Sequence, residues 1–198
     1  MRYRHRAIES RLKTLAKHFP VVVVTGARQV GKSTLLAHLF GSVAGHIVFD
    51  PVTDEFGARR DPQFFLQQHK TPLILDEIQY APELLAIIKK WVDKNRKPGQ
   101  FYLTGSQNLS VIKSISESMA GRAVVVDMDA MTVPERNGTA KKEFSFWLEA
   151  ILASGKNFES LKDLKHSGAV PKNNPLFKML WRGGYAGGVG EILRYPGT

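Results

Sequence analysis

The spacing of apolar side chains opens on a helix. Ile8, Leu12, Leu15 and Phe19 fall on one helical face with Arg11, Lys13 and Lys17 elsewhere, which predicts an amphipathic helix within residues 6–19, before Pro20. Val21 to Val24 is a continuous β-branched run, the pattern of a parallel strand buried on both faces. Thr34 to Phe40 then reads as a helix behind a glycine-containing loop, and Ile47 to Phe49 as a short second strand. Asp61-Pro62 has the form of a helix start, with aspartate as N-cap and proline in the first turn, leading through Phe64, Phe65 and Leu66. Leu73 to Leu75 is the third expected strand. Pro82 opens the clearest amphipathic helix, with Leu84, Leu85, Ile87, Ile88, Trp91 and Val92 on one broad face before Pro98-Gly99 stops it. Phe101 to Leu103 is the fourth strand, Leu109, Ile112, Ile115 and Met119 mark a helix, and Val124 to Val126 is the fifth strand. Strand and helix alternating at this pitch predict an α/β domain with a mainly parallel sheet and right-handed crossovers.

Beyond Pro134 the periodicity weakens. Phe144, Phe146, Trp147, Leu148, Ile151 and Leu152 suggest one helix and Phe177 to Trp181 another, separated by Asn173-Asn174-Pro175 and followed by a glycine-rich stretch from Gly183 to Gly190. The expected organisation is an N-terminal helix over 1–19, an α/β domain over 20–135 and an incomplete segment over 136–198. At 198 residues the chain has room for one full core and an annex.

Composition narrows the chemistry. There is no cysteine, so disulfides, thiolate metal sites and thiol nucleophiles are excluded. The six histidines show no pair at metal-binding helical spacing, and no metal is assigned to them. The longest aliphatic run is far shorter than a membrane span or signal peptide needs, so a cytoplasmic protein is expected. The net charge of +10 raises nucleic acid as a partner, but its distribution is uneven. Residues 1–20 and 136–198 each carry +5, while residues 21–135 hold twelve basic and twelve acidic side chains. Any polyanion is therefore expected on the flanks.

Gly26-Ala27-Arg28-Gln29-Val30-Gly31-Lys32-Ser33 matches the phosphate-binding pattern G-x-x-x-x-G-K-[ST], and it follows a buried strand and opens a helix. In that context successive backbone N–H groups from Gly26 to Thr34 can wrap phosphates while the helix N-terminus adds partial positive charge. Lys32 would bridge the β and γ phosphates, and Ser33 would hold Mg²⁺. Arg28 is expected to serve through its backbone, with its side chain on the loop surface. Leu73-Ile-Leu75-Asp76-Glu77 is an apolar strand ending in two acids. At the carboxyl end of a parallel strand, Asp76 would bind Mg²⁺ and Glu77 would orient and deprotonate a water. Leu103-Thr104-Gly105-Ser106 offers hydroxyls at the next strand end. If that strand lies between the other two, Thr104 or Ser106 would sense the γ phosphate; otherwise Ser106 or Asn108 caps the next helix. Arg122 could meet a γ phosphate in its own chain or across a subunit interface, or could instead serve a helix C-terminus electrostatically. Asp54-Glu-Phe-Gly57 satisfies a short GTPase pattern, but it follows the wrong strand and no guanine-recognition element accompanies it, so GTP is set aside.

Together these motifs, with His46-Ile-Val-Phe-Asp-Pro51, Ala81-Pro-Glu-Leu84 and Ser116-Glu-Ser-Met-Ala-Gly-Arg122, resemble those of bacterial and archaeal predicted ATPases of the AAA+ superfamily. Those proteins carry an AAA-type N-terminal domain and a C-terminal domain of unknown function. The resemblance covers residues 8–135, and Trp181-Arg-Gly-Gly-Tyr185 is similar to a short motif early in the C-terminal domain, most of which is then expected to be missing. It implies a P-loop NTPase fold with a five-stranded sheet of order 5-1-4-3-2, ATP with Mg²⁺, hydrolysis assisted by Glu77, Ser106 as a sensor and Arg122 as a functional arginine. A homo-oligomer is compatible with it. Two other readings stand beside Mg²⁺-dependent ATP hydrolysis in a switch or motor. One is a module that holds nucleotide without turnover, with nucleic acid on the basic flanks; the other is a small-molecule kinase.

Overall fold

The computed structural model describes residues 3–106, 119–132, 135, 136 and 138. Residues Ile8–Asp129 form one compact unit, and the described residues on either side belong to a second. In the first unit the chain runs α1 (Glu9–Ala16), β1 (Val21–Gly26), α2 (Lys32–Phe40), β2 (Gly45–Val48), α3 (Pro62–Gln68), β3 (Leu73–Asp76), a 3₁₀ turn (Ile78–Tyr80), α4 (Glu83–Lys94), β4 (Phe101–Ser106) and β5 (Ala123–Asp127).

The five strands form one sheet of order β2-β3-β4-β1-β5. All four pairings are parallel. This is the expected order, and it sets the acid-bearing β3 one strand away from β1, with β4 between them. Period-two alternation sorts the side chains. Val21, Val23, Leu73, Leu75, Phe101 and Leu103 join Phe65 and Leu66 of α3 and Leu84, Leu85, Ile88 and Val92 of α4 in one buried cluster. The alternate positions point to the opposite face, where Phe40 of α2 stacks on Tyr102 with ring centroids 4.0 Å apart. Every residue of β1 is buried, because it has a strand on either side and helices over both faces.

Each expected strand is present. The amphipathic helix before Pro20 is shorter than its apolar pattern, ending at Ala16, with Leu12 as its fully buried anchor. Asp61 caps α3 as expected, its carboxylate accepting from Phe64 N at 2.9 Å. The 3₁₀ turn between β3 and α4 has no counterpart in the sequence pattern. The helix expected from Leu109 lies outside the described residues except for Met119, which is buried in the core. The helices expected over 144–152 and 177–181 also lie outside them.

In the second unit, the buried Glu135 carboxylate accepts from Ala7 N at 2.8 Å and Thr132 N at 2.7 Å, and Arg6 Nε lies 3.1 Å from it. Among the described residues no helix is long and apolar enough to cross a membrane.

Candidate functional site

The carboxyl ends of β1, β4 and β3 lie side by side and carry the loop, the hydroxyl and the acids that the sequence singles out. From β1 the chain enters the loop at Gly26, whose φ of 149° suits glycine and whose place could not accept a side chain: a β-carbon there would lie 2.3 Å from Met128 O. Gln29 (φ 63°) and Gly31 (φ 97°) also adopt left-handed backbone, turning the loop back towards the sheet. Gly31 is the N-cap of α2, and no side chain caps that helix end. Its first-turn N–H groups and partial positive charge suit an anionic ligand. Within the first turn stand Lys32, buried, and Ser33 and Thr34, which reach the surface.

Lys32 is only 5% exposed, and its Nζ donates to the carbonyls of Gly26 (3.0 Å) and Ala27 (2.8 Å). Two of the ammonium's three donors are thus spent on the loop itself. Burial lowers its pKa, opposed by the charges of Glu77 and then Asp76, while Arg28 adds to the lowering. Arg28 itself is exposed, as its position on the loop surface implies.

Opposite the loop, Asp76 is 4% exposed, and a polar group buried this far needs hydrogen-bond partners. The Thr104 hydroxyl donates to Asp76 Oδ1 and accepts from Glu77 N at 2.9 Å, so one side chain of β4 ties both acids to the sheet. His46 on β2 places Nε2 3.6 Å from Asp76 Oδ2. Glu77 follows in a left-handed conformation (φ 58°, ψ 47°), uncommon for a residue with a β-carbon, and Gln79 Nε2 donates to its Oε2. The oxygen donors of Ser33 and Asp76 fit a hard divalent cation such as Mg²⁺.

The structure therefore gathers Gly26 to Thr34, Asp76, Glu77 and Thr104 at one edge. β4 lies between β1 and β3, which is the condition for a strand-end hydroxyl to reach the site. Among the described residues the hydroxyl that contacts the acids is that of Thr104. Ser106 ends β4 in register with Gly26, and its side chain lies outside the described residues. Arg122 is elsewhere: it immediately precedes β5, and its carbonyl accepts from Val21 N at the amino end of β1. The six residues of β1 at about 3.3 Å each put its backbone on the order of 16 Å from the loop. Its guanidinium pairs with Asp93 of α4 (Nε to Oδ1, 2.5 Å) and donates to Ala120 O. This pairing raises the pKa of Arg122 and lowers that of Asp93. Within one chain, then, the same-chain alternative for Arg122 is not what the geometry presents. Sequence pattern did not single out Gln79 or His46 for the site. Gln79 stood two residues beyond the acids, a weak signal, and His46 becomes relevant only once β2 is known to flank β3.

A parallel sheet of this order, with a glycine-lysine loop after β1 and two acids at the end of β3, defines a P-loop nucleoside triphosphatase fold. The chain belongs to the AAA domain family, whose model matches residues 18–137. Its AAA-type P-loop domain is one that supports nucleotide binding. Among curated proteins it is 32% identical over 148 residues to uncharacterized protein Rv2008c of Mycobacterium tuberculosis, and equally so to uncharacterized protein Mb2031c of Mycobacterium bovis. The match covers 74% of this chain and 33% of either relative, so the chain spans about a third of their length. Solved structures with a similar arrangement include the Walker-type ATPase PABY2304 of Pyrococcus abyssi, at 19% identity and TM-score 0.49 over 74% of this chain and 59% of that one. The RuvB Holliday junction branch migration motor of Thermotoga maritima matches at 21% identity and TM-score 0.45, over 73% and 52% of the two chains.

Proposed function

We propose that this chain binds ATP with Mg²⁺ at the carboxyl edge of the sheet and hydrolyses it to ADP and phosphate, acting as a conformational switch or motor. The observation that carries the reading is the convergence of a buried P-loop lysine with the Thr104-bridged acid pair at the carboxyl ends of adjacent strands. The backbone N–H groups from Gly26 to Thr34 bind the phosphate chain, and the remaining N–H of Lys32 reaches its β and γ oxygens. Ser33 and Asp76 hold Mg²⁺, which when bound neutralises charge developing on the transferred phosphoryl group. Glu77 orients the attacking water and takes its proton as the water oxygen bonds to the γ phosphorus and the bond to the β-phosphate oxygen breaks. Ser106 acts beside Thr104 as the sensor of the γ phosphate. Arg122 acts on the nucleotide of a neighbouring copy in a homo-oligomer, exchanging Asp93 for phosphate.

The test is steady-state phosphate release by the purified chain. Lys32→Ala should abolish turnover and weaken ATP binding, whereas Glu77→Gln should keep binding and lose about a hundredfold or more in kcat. Wild-type turnover by Glu77→Gln would remove the base. A phosphorylated acceptor in place of free phosphate would reveal a kinase.

A further inference from the structure

Gln79 lies in the 3₁₀ turn directly after the acids, and its Nε2 donates to Glu77 Oε2. A side-chain amide has one donating and one accepting end, and a carboxylate only accepts, so the nitrogen end must face Glu77. The accepting end, Oε1, is buried and has no hydrogen-bond partner among the described residues. It rests against Gly105 of β4, where a β-carbon would come within 3.4 Å of it. The turn itself is anchored by Ile78, fully buried in the core. The amide is thus wedged between β4 and the Glu77 carboxylate, and among the described residues its hydrogen bond is to Glu77.

The main chain of Glu77 is pinned separately, through its N–H to Thr104 Oγ1. That bond fixes where the side chain starts and leaves its torsions free. Among the described residues, Gln79 supplies the hydrogen bond on the carboxylate itself. We infer that Gln79 is a positioning residue for the catalytic base: by occupying Oε2 from the core side, it presents Oε1 of Glu77 to the attacking water. The inference rests on the ATPase reading above and adds to it the device that aims the base.

Two measurements test it on the full chain. Gln79→Met keeps the length and apolar packing of the side chain and removes both hydrogen-bonding ends. It should lower kcat about tenfold or more, because a misaimed base loses the benefit of orientation, and leave KM and the affinity for a non-hydrolysable ATP analogue within about twofold. In a Glu77→Gln background, followed by single-turnover kinetics, the same substitution should change the rate by less than about twofold, since Gln79 acts through Glu77. A kcat for Gln79→Met near or above wild type, or an equal loss in both backgrounds, would overturn the inference. The second measurement is independent of turnover. The ¹H–¹⁵N signal of the Gln79 side-chain amide should carry one downfield proton that moves upfield in Glu77→Ala; an amide signal indifferent to that change would overturn the contact. If the wild type shows no turnover, the ATPase reading falls and the positioning role falls with it, while the amide signal still decides whether Gln79 holds Glu77.

Discussion

Thr104 shows how much of the site hangs on single atoms. Its fully buried hydroxyl serves Asp76 and Glu77 at once, so Thr104→Val, close in shape, leaves a carboxylate oxygen and a backbone N–H without that partner. The substitution is expected to destabilise the chain by about 1–3 kcal/mol in urea unfolding and to lower ATP turnover, while Thr104→Ser restores most of both. Equal stability of the wild type and the Thr104→Val variant would show that the bridge carries no weight. At this scale the sequence was legible where spacing along the chain is itself the signal: the glycines and Lys32 of the loop occupy fixed offsets that the backbone path requires. That Thr104 reaches the acids could not be read from spacing, because it depends on β4 lying between β1 and β3. Gln79 and His46 act across a turn and across a strand pair, and neither relation is written in local order.

Among the elements, the β-branched run Val21 to Val24 marked β1 because that strand is buried throughout, and Asp61-Pro62 marked α3 because capping is a local contact. The 3₁₀ turn has no sequence signature, since three residues carry no periodicity, yet it is the element that brings Gln79 to Glu77. The first helix ends earlier than its apolar spacing suggests, for beyond Ala16 the chain must turn into Pro20 and β1. In the second unit, Glu135 fastens the segment at Arg6 and Ala7. Burial alone would raise its pKa, but hydrogen bonds from Ala7 and Thr132, with the charge of Arg6, bring it below the ordinary 4.5. A carboxyl whose folded pKa is depressed binds its proton more readily when unfolded, so it stabilises the fold above about pH 4.5 and that contribution disappears as pH falls through the depressed value. Glu135→Gln should therefore lower thermal stability near neutral pH, with the gap to wild type closing as the solution is acidified below pH 4.5. A gap that stays constant with pH would contradict the carboxylate's role.

Across the whole molecule, charge and chemistry are segregated. Residues 21–135 are electrically neutral, while each flank carries +5. The family match falls on 18–137, so the excess charge that first suggested polyanions lies almost entirely outside the nucleotide-binding part. Arg122 stands at the amino edge of the sheet, away from the loop of its own chain, where it pairs with Asp93. Strand order was expected from the family resemblance and could not have come from hydrophobic pattern, which gives strands but not neighbours.

The central claim is that one sheet edge both holds ATP and splits it, with separate residues for the two tasks. Its most direct test is the identity of the nucleotide retained after incubation with ATP and Mg²⁺ and removal of unbound ligand. Wild type should retain ADP, Glu77→Gln should retain intact ATP, and Lys32→Ala should retain neither. Equal amounts of ADP on wild type and Glu77→Gln, or no nucleotide on either, would contradict the account.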